Sequence, residues 1–73
     1  MMSESVYKLI ELVGTSTESW EKAATNAVTK AQETLRDLRI AEVVSQDIHL
    51  QDGQPPIYRT KLRLSFKIHD DVD

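Results

Sequence analysis

Side chains able to do chemistry are few and scattered in this chain. His49 and His69 are the only imidazoles, and there is no cysteine to serve as nucleophile, thiolate ligand or disulfide partner. No Gly-x-Ser-x-Gly elbow occurs, and the two glycines do not form a phosphate-cradling loop. Without a base and a nucleophile at a recognisable spacing, the chain does not read as an enzyme. Two constellations remain. Arg59, Lys61, Arg63 and Lys67 fall on alternate positions and offer a basic stripe to phosphates. The net charge of −3 and the lack of an accompanying aromatic pattern argue against nucleic acid. The stripe reads instead as solvated or salt-bridged, with Glu11, Glu42 and Asp47 as partners from neighbouring strands. Asp47, Asp52, Asp70, Asp71 and Asp73 are hard oxygen ligands suited to calcium or magnesium. Their spacing is not that of an EF-hand loop, so a cation site built from them draws on several chains or on backbone carbonyls.

The elements that position these residues follow from periodicity. From Trp20, the residues Ala23, Ala24, Ala27, Val28, Ala31, Leu35 and Leu38 recur on one face of an α-helix. The helix is predicted to open within Thr15-Ser16-Thr17, with Glu18 and Glu21 in its first turn, and to end near Leu38. Arg36 and Arg39 then lie near the negative end of its dipole. Because the stripe is mostly alanine, a flat sheet packs on it better than bulky helices.

Ser5 to Val13 reads as a strand with Val6, Ile10 and Leu12 on one side and Tyr7, Leu9 and Val13 on the other. Both faces are apolar, one helix covers only one of them, and the other calls for a second subunit. Gly14-Thr15-Ser16 is predicted to break this strand. Arg39 to Leu50 reads as a second strand with imperfect alternation and a bend or bulge. Here Ile40, Val44 and Ile48 are expected on one side and Ala41 and Val43 on the other. Gln51 to Pro56 is a turn. Ile57 to His69 alternates most cleanly: Tyr58, Thr60, Leu62, Leu64, Phe66 and Ile68 share one face, and Arg59, Lys61, Arg63, Ser65, Lys67 and His69 the other. The tail Asp70 to Asp73 is expected to fray. The fold class is therefore α+β: a β-α-β-β chain with a three-stranded antiparallel sheet wrapped round one helix.

The chain of 73 residues reads as one domain, 1–73, with an ordered core at about 5–69. No signal peptide and no membrane-length apolar run is read, so the expected setting is cytoplasmic with no membrane partner. Chains of roughly 60 to 80 residues without disulfides draw only a few kcal/mol from their core, which favours self-association.

The strand VYKLIELVGTS, a helix opening with Thr-Glu-Ser-Trp, then AEVV, a turn and YRTKLRLSFK together resemble the dodecin family over Ser5 to Ile68. The most specific piece is Glu11-Leu12-Val13-Gly14-Thr15-Ser16, followed by Ala41-Glu42-Val43. The resemblance implies twelve subunits in a hollow shell of cubic symmetry. It also implies riboflavin or its phosphates held in pairs at subunit interfaces. A tryptophan and a glutamine contact the flavin in such proteins, the first stacking on the ring and the second bonding its polar edge. The matching positions are Ile40 and Arg59, so both flavin-contacting residues are substituted. Some family members with such substitutions are regarded as calcium-binding, and no metal ligands carry over to named positions here. The expectation is a non-enzymatic homododecamer for storing a small ligand or ion, with flavin binding weak or lost and calcium binding open. A flavin-sequestering store (riboflavin or FMN) is the first alternative. A nucleic-acid or protein adaptor using the basic third-strand face is the second.

Overall fold

The structure, a computed structural model, describes residues 5–68. Its elements are β1 (Val6–Ser16), α1 (Trp20–Thr34), β2 (Leu38–His49) and β3 (Ile57–Ile68). The three strands form one antiparallel sheet in the order β1-β3-β2, so the most regular strand of the sequence is the central one. The predicted β-α-β-β order and fold class hold. His69, expected to close β3, and the tail Asp70 to Asp73 lie outside the described residues.

The alanine stripe does what its spacing implies. Ala23, Ala27 and Ala31 are buried, as are Leu62, Leu64 and Thr60 of β3. Ile10, Leu12, Ala24, Val28, Leu35 and Leu38 pack around them. Small side chains let the helix approach closely, and closest at Gly14. A Cβ there would run into the carbonyl oxygen of Ala23 and stand 2.9 Å from Ala27 Cβ. Gly14 is thus a contact residue inside β1, not the break expected between strand and helix. β1 continues to Ser16.

The helix ends were misplaced by the same logic. Its N-cap is Ser19, whose Oγ accepts a hydrogen bond from the Lys22 amide at 3.0 Å. Ser16 caps only the turn before it, accepting from the Glu18 amide at 2.9 Å. Glu18 therefore precedes the first turn and Glu21 lies in it. At the far end α1 stops at Thr34. Leu35 is extended and Asp37 takes a positive φ of 59°, which turns the chain into β2. Leu35 and Leu38 still reach the core, but from extended backbone, so the apolar period outlasts the helix. Arg36 and Arg39 consequently lie past the helix, whose last turn has no basic residue.

β2 carries the expected irregularity. Its register with β3 shifts between Leu38 and Ile40 and again between Val43 and Ser45. Directly opposed residues of an antiparallel pair share a face. Ile40 and Glu42, opposite Ser65 and Arg63, therefore lie on the face away from the helix, while Gln46 and Ile48, opposite Thr60 and Tyr58, lie on the helix side. The bulge thus separates Ile40 from Ile48, which simple alternation had placed together.

The helix rests on β1 and β3 and only brushes β2. Val6, Tyr7, Leu9, Val13, Ile40, Val43 and Leu50 remain largely exposed. The radius of gyration is 15.4 Å, against about 11 Å for a compact chain of this length. The long axis extends 56 Å.

Candidate functional site

The sheet face turned away from the helix carries both residues singled out by sequence. It has two chemically distinct ends. Toward the β2–β3 hairpin, the basic residues of β3 meet acids of the flanking strands. Arg63 lies between Glu11 and Glu42: its Nη2 is 2.9 Å from Glu11 Oε2, and its Nη1 is 3.7 Å from Glu42 Oε1. Lys61 Nζ is 3.7 Å from Glu11 Oε1. Toward the other end the face turns apolar, with Leu9 and Ile40 flanking Ser65 from either side. Arg59, Lys61 and Arg63 of the basic stripe are therefore salt-bridged, by the three acids the sequence suggested.

Arg59 makes the closest pair. Its Nε donates to Asp47 Oδ1 at 2.6 Å and its Nη2 to Asp47 Oδ2 at 2.8 Å, a two-point fork of the kind that fixes orientation as well as distance. These contacts have the expected electrostatic signature. Hydrogen bonding from Arg59 holds the Asp47 carboxyl below its ordinary value, and Asp47 raises Arg59 in return. Glu11 is lowered first by its bond from Arg63 and next by the charge of Lys61.

The backbone beneath Asp47 is fixed as well. The Trp20 indole donates from Nε1 to the Asp47 carbonyl at 3.1 Å. The Trp20 ring meets Tyr58 edge-on, with centroids 5.1 Å apart. Thr60, fully buried, donates from Oγ1 to the Trp20 carbonyl at 3.0 Å. Sequence reasoning placed Trp20 on the helix core face but did not foresee its bond to β2, because the partner is a main-chain atom that any residue supplies.

Ile40 is 63% exposed. It also rims a cleft of about 120 Å³ with Val28, Leu38 and Leu64, well below the roughly 300 Å³ at which ligand pockets begin. Ile40 lies opposite Ser65 and Arg59 six residues earlier on β3, so the two are about 20 Å apart along the strand. One subunit does not bring them together, and a ligand touching both positions needs more than one copy. A larger groove, about 410 Å³, runs between the free edge of β1 and the helix and includes Leu12, Thr15, Asn26 and Lys30. Asn26 donates to the outward carbonyl of Thr15 there, at 3.0 Å.

Of the carboxylates offered for a cation, Asp47 is engaged by Arg59 and Asp52 lies in the hairpin turn. Asp70, Asp71 and Asp73 lie outside the described residues. Among the described residues no three His, Asp or Glu side chains converge on one point. A hard cation needs six to eight oxygens, so a single subunit does not fit one by its described side chains alone. No described helix is long and apolar enough to cross a membrane.

The fold and the sequence are shared with known proteins. The family model described as Dodecin matches residues 6–69. A protein named calcium dodecin from Mycobacterium tuberculosis is 45% identical over 64 residues, covering 88% of this chain and 90% of that protein. A dodecin from Thermus thermophilus is 37% identical over 67 residues, 89% of this chain and 94% of its own. Among solved structures, the Mycobacterium tuberculosis protein, described as calcium-chelating with a novel calcium-binding site, superposes with a TM-score of 0.82 at 43% identity, covering 92% of this chain and 96% of that one. The dodecin of Streptomyces coelicolor gives 0.86 at 37% identity, covering 96% and 100%.

Proposed function

This chain belongs to the dodecin family, and on that premise we propose that it is one subunit of a non-enzymatic, cytoplasmic homododecamer that stores or buffers a small ligand or ion. Each subunit is a single domain, residues 1–73. Flavin affinity is low, and calcium is the favoured ion. The observation that carries the flavin half is the Arg59–Asp47 fork. Where the resemblance puts an amide that both donates and accepts, this chain puts a donor-only group already engaged by a carboxylate. Ile40 adds contact area without a π face. The calcium half is supported by likeness to a relative named for that ion. Its ligands are proposed to come from several subunits, since the described side chains of one subunit do not converge.

Assembly is supported by the apolar surface left open on the sheet and by the 15.4 Å radius of gyration. An adaptor role for the basic face is disfavoured, because Arg59, Lys61 and Arg63 each lie within ion-pair distance of an acid. Native mass spectrometry of untagged protein, purified without added ligand, tests the reading. Twelve subunits carrying small ionic increments that a chelator removes is the expected spectrum. Flavin-sized increments would make the protein a flavin store, and a monomer or dimer would overturn the shell.

A further inference from the structure

We infer that Trp20 and Asn26 are positioning residues for Arg59: from one helix they fix both strands that flank it, and so keep its guanidinium turned along the sheet to Asp47 instead of outward. Arg59 sits in the middle of a row across the sheet, opposite Thr15 of β1 on one side and Asp47 of β2 on the other. Asn26 donates to the Thr15 main-chain oxygen at 3.0 Å, and the Trp20 indole donates to that of Asp47 at 3.1 Å. Trp20 also meets both neighbours of Arg59 along β3. Its ring lies edge-on to Tyr58, and its own carbonyl accepts from Thr60 Oγ1 at 3.0 Å. Each residue that adjoins Arg59 in the sheet is thus held by α1, and Thr15 alone is held by a residue other than Trp20.

The grip matters because β1 and β2 are the outer strands. An outer strand is bonded to the sheet on one side only and opens more readily than a central one. β2 is the less supported of the two, since the helix only brushes it and its register with β3 shifts twice between Leu38 and Ser45. The Trp20 bond lies beyond the second shift, at the row of Arg59. The fork it supports tolerates little displacement, because hydrogen bonds weaken steeply as they bend. Nor does packing hold the two side chains, which are 46% and 54% exposed. An exposed ion pair gains little unless its geometry is fixed, and here the main chain on either side of Arg59 fixes it.

What the grip does to a ligand rests on the proposal that position 59 meets one. The grip itself does not, so its test uses the full-length protein with no ligand. The Asp47 carboxyl is titrated by carbon-13 NMR with aspartate labelled at the side-chain carboxyl, and Asp47→Asn identifies its signal. Arg59 and His49 are the charged groups that act on Asp47, and the hydrogen bond from Arg59 does most to hold it below 3.8. Arg59→Gln therefore marks the released carboxyl. Trp20→Phe keeps a ring against Tyr58 and removes the donor; it is expected to raise the Asp47 midpoint part of the way to that mark. Asn26→Ala, at an exposed helix position that alanine suits, raises it as well. Val28→Ala loosens the core without touching the row, and leaves the midpoint in place.

Circular dichroism and native mass establish that each variant keeps its fold and assembly, and if Trp20→Phe does not fold, Asn26→Ala decides. An Asp47 midpoint that stays put in both variants overturns the inference. So does an equal rise in Val28→Ala, which would make the effect a general loosening. A rise from one of the two gripping residues alone overturns the two-sided hold. None of these results bears on the proposed function, which the native mass spectrum of the unmodified protein decides.

Discussion

On the outer face Arg63 pairs with both Glu11 and Glu42, and Glu11 in turn receives both Arg63 and Lys61. Both Glu11 and Asp47 titrate below their ordinary values of 4.5 and 3.8. A carboxyl whose folded pKa is depressed adds stability that is fully present above its unfolded pKa and is lost as pH falls through the folded value. The ion-pair contribution should thus be complete at neutral pH and decline below 4.5 for Glu11 and below 3.8 for Asp47. Acid titration of urea midpoints checks this: Glu11→Gln should flatten the acid limb, and an unchanged limb would show that Glu11 is not a source of it. At Ile40 the prediction concerns binding and rests on the proposal that this position meets the ligand. On that proposal Ile40→Trp supplies one stacked ring, worth on the order of 1–3 kcal/mol, and riboflavin quenching should tighten accordingly. Unmoved affinity would mean that position 40 does not line the ligand site.

Gly14 decides how closely the helix approaches the sheet. Gly14→Ala places a Cβ against Ala23 and Ala27, and overpacking of this sort costs about 1–3 kcal/mol. A chemical-denaturation midpoint equal to that of the unmodified protein would contradict the close approach. The same elements show what the sequence disclosed and what it hid. The alanine stripe, the two-residue alternation of β3 and the acid partners of its basic face were all legible, because each is a local period or a charge match. The ends of α1 were not, since Leu35 and Leu38 are apolar for the sake of the core whether or not their backbone is helical. The sidedness of β2 was not either. A single bulge near Val44 reverses inside and outside, and no residue there announces it. The separation of Ile40 from Arg59 depends on strand register, which emerges only once β3 is placed between its neighbours.

A chain that spreads over 56 Å with so few buried side chains has little to hold it folded alone. If assembly supplies the rest, stability becomes a function of concentration. Calorimetry across a hundred-fold dilution should show the unfolding temperature falling with dilution. A constant temperature together with a monomeric mass would assign the stability to the single chain. The chain also has only one tryptophan, and it is anchored where the helix start, the hairpin and Asp47 meet. Indole emits at wavelengths that flavins absorb. Trp20 is therefore an internal optical probe: a flavin docking near the hairpin would dim its emission by energy transfer. An ion or a colourless ligand would at most change its tint.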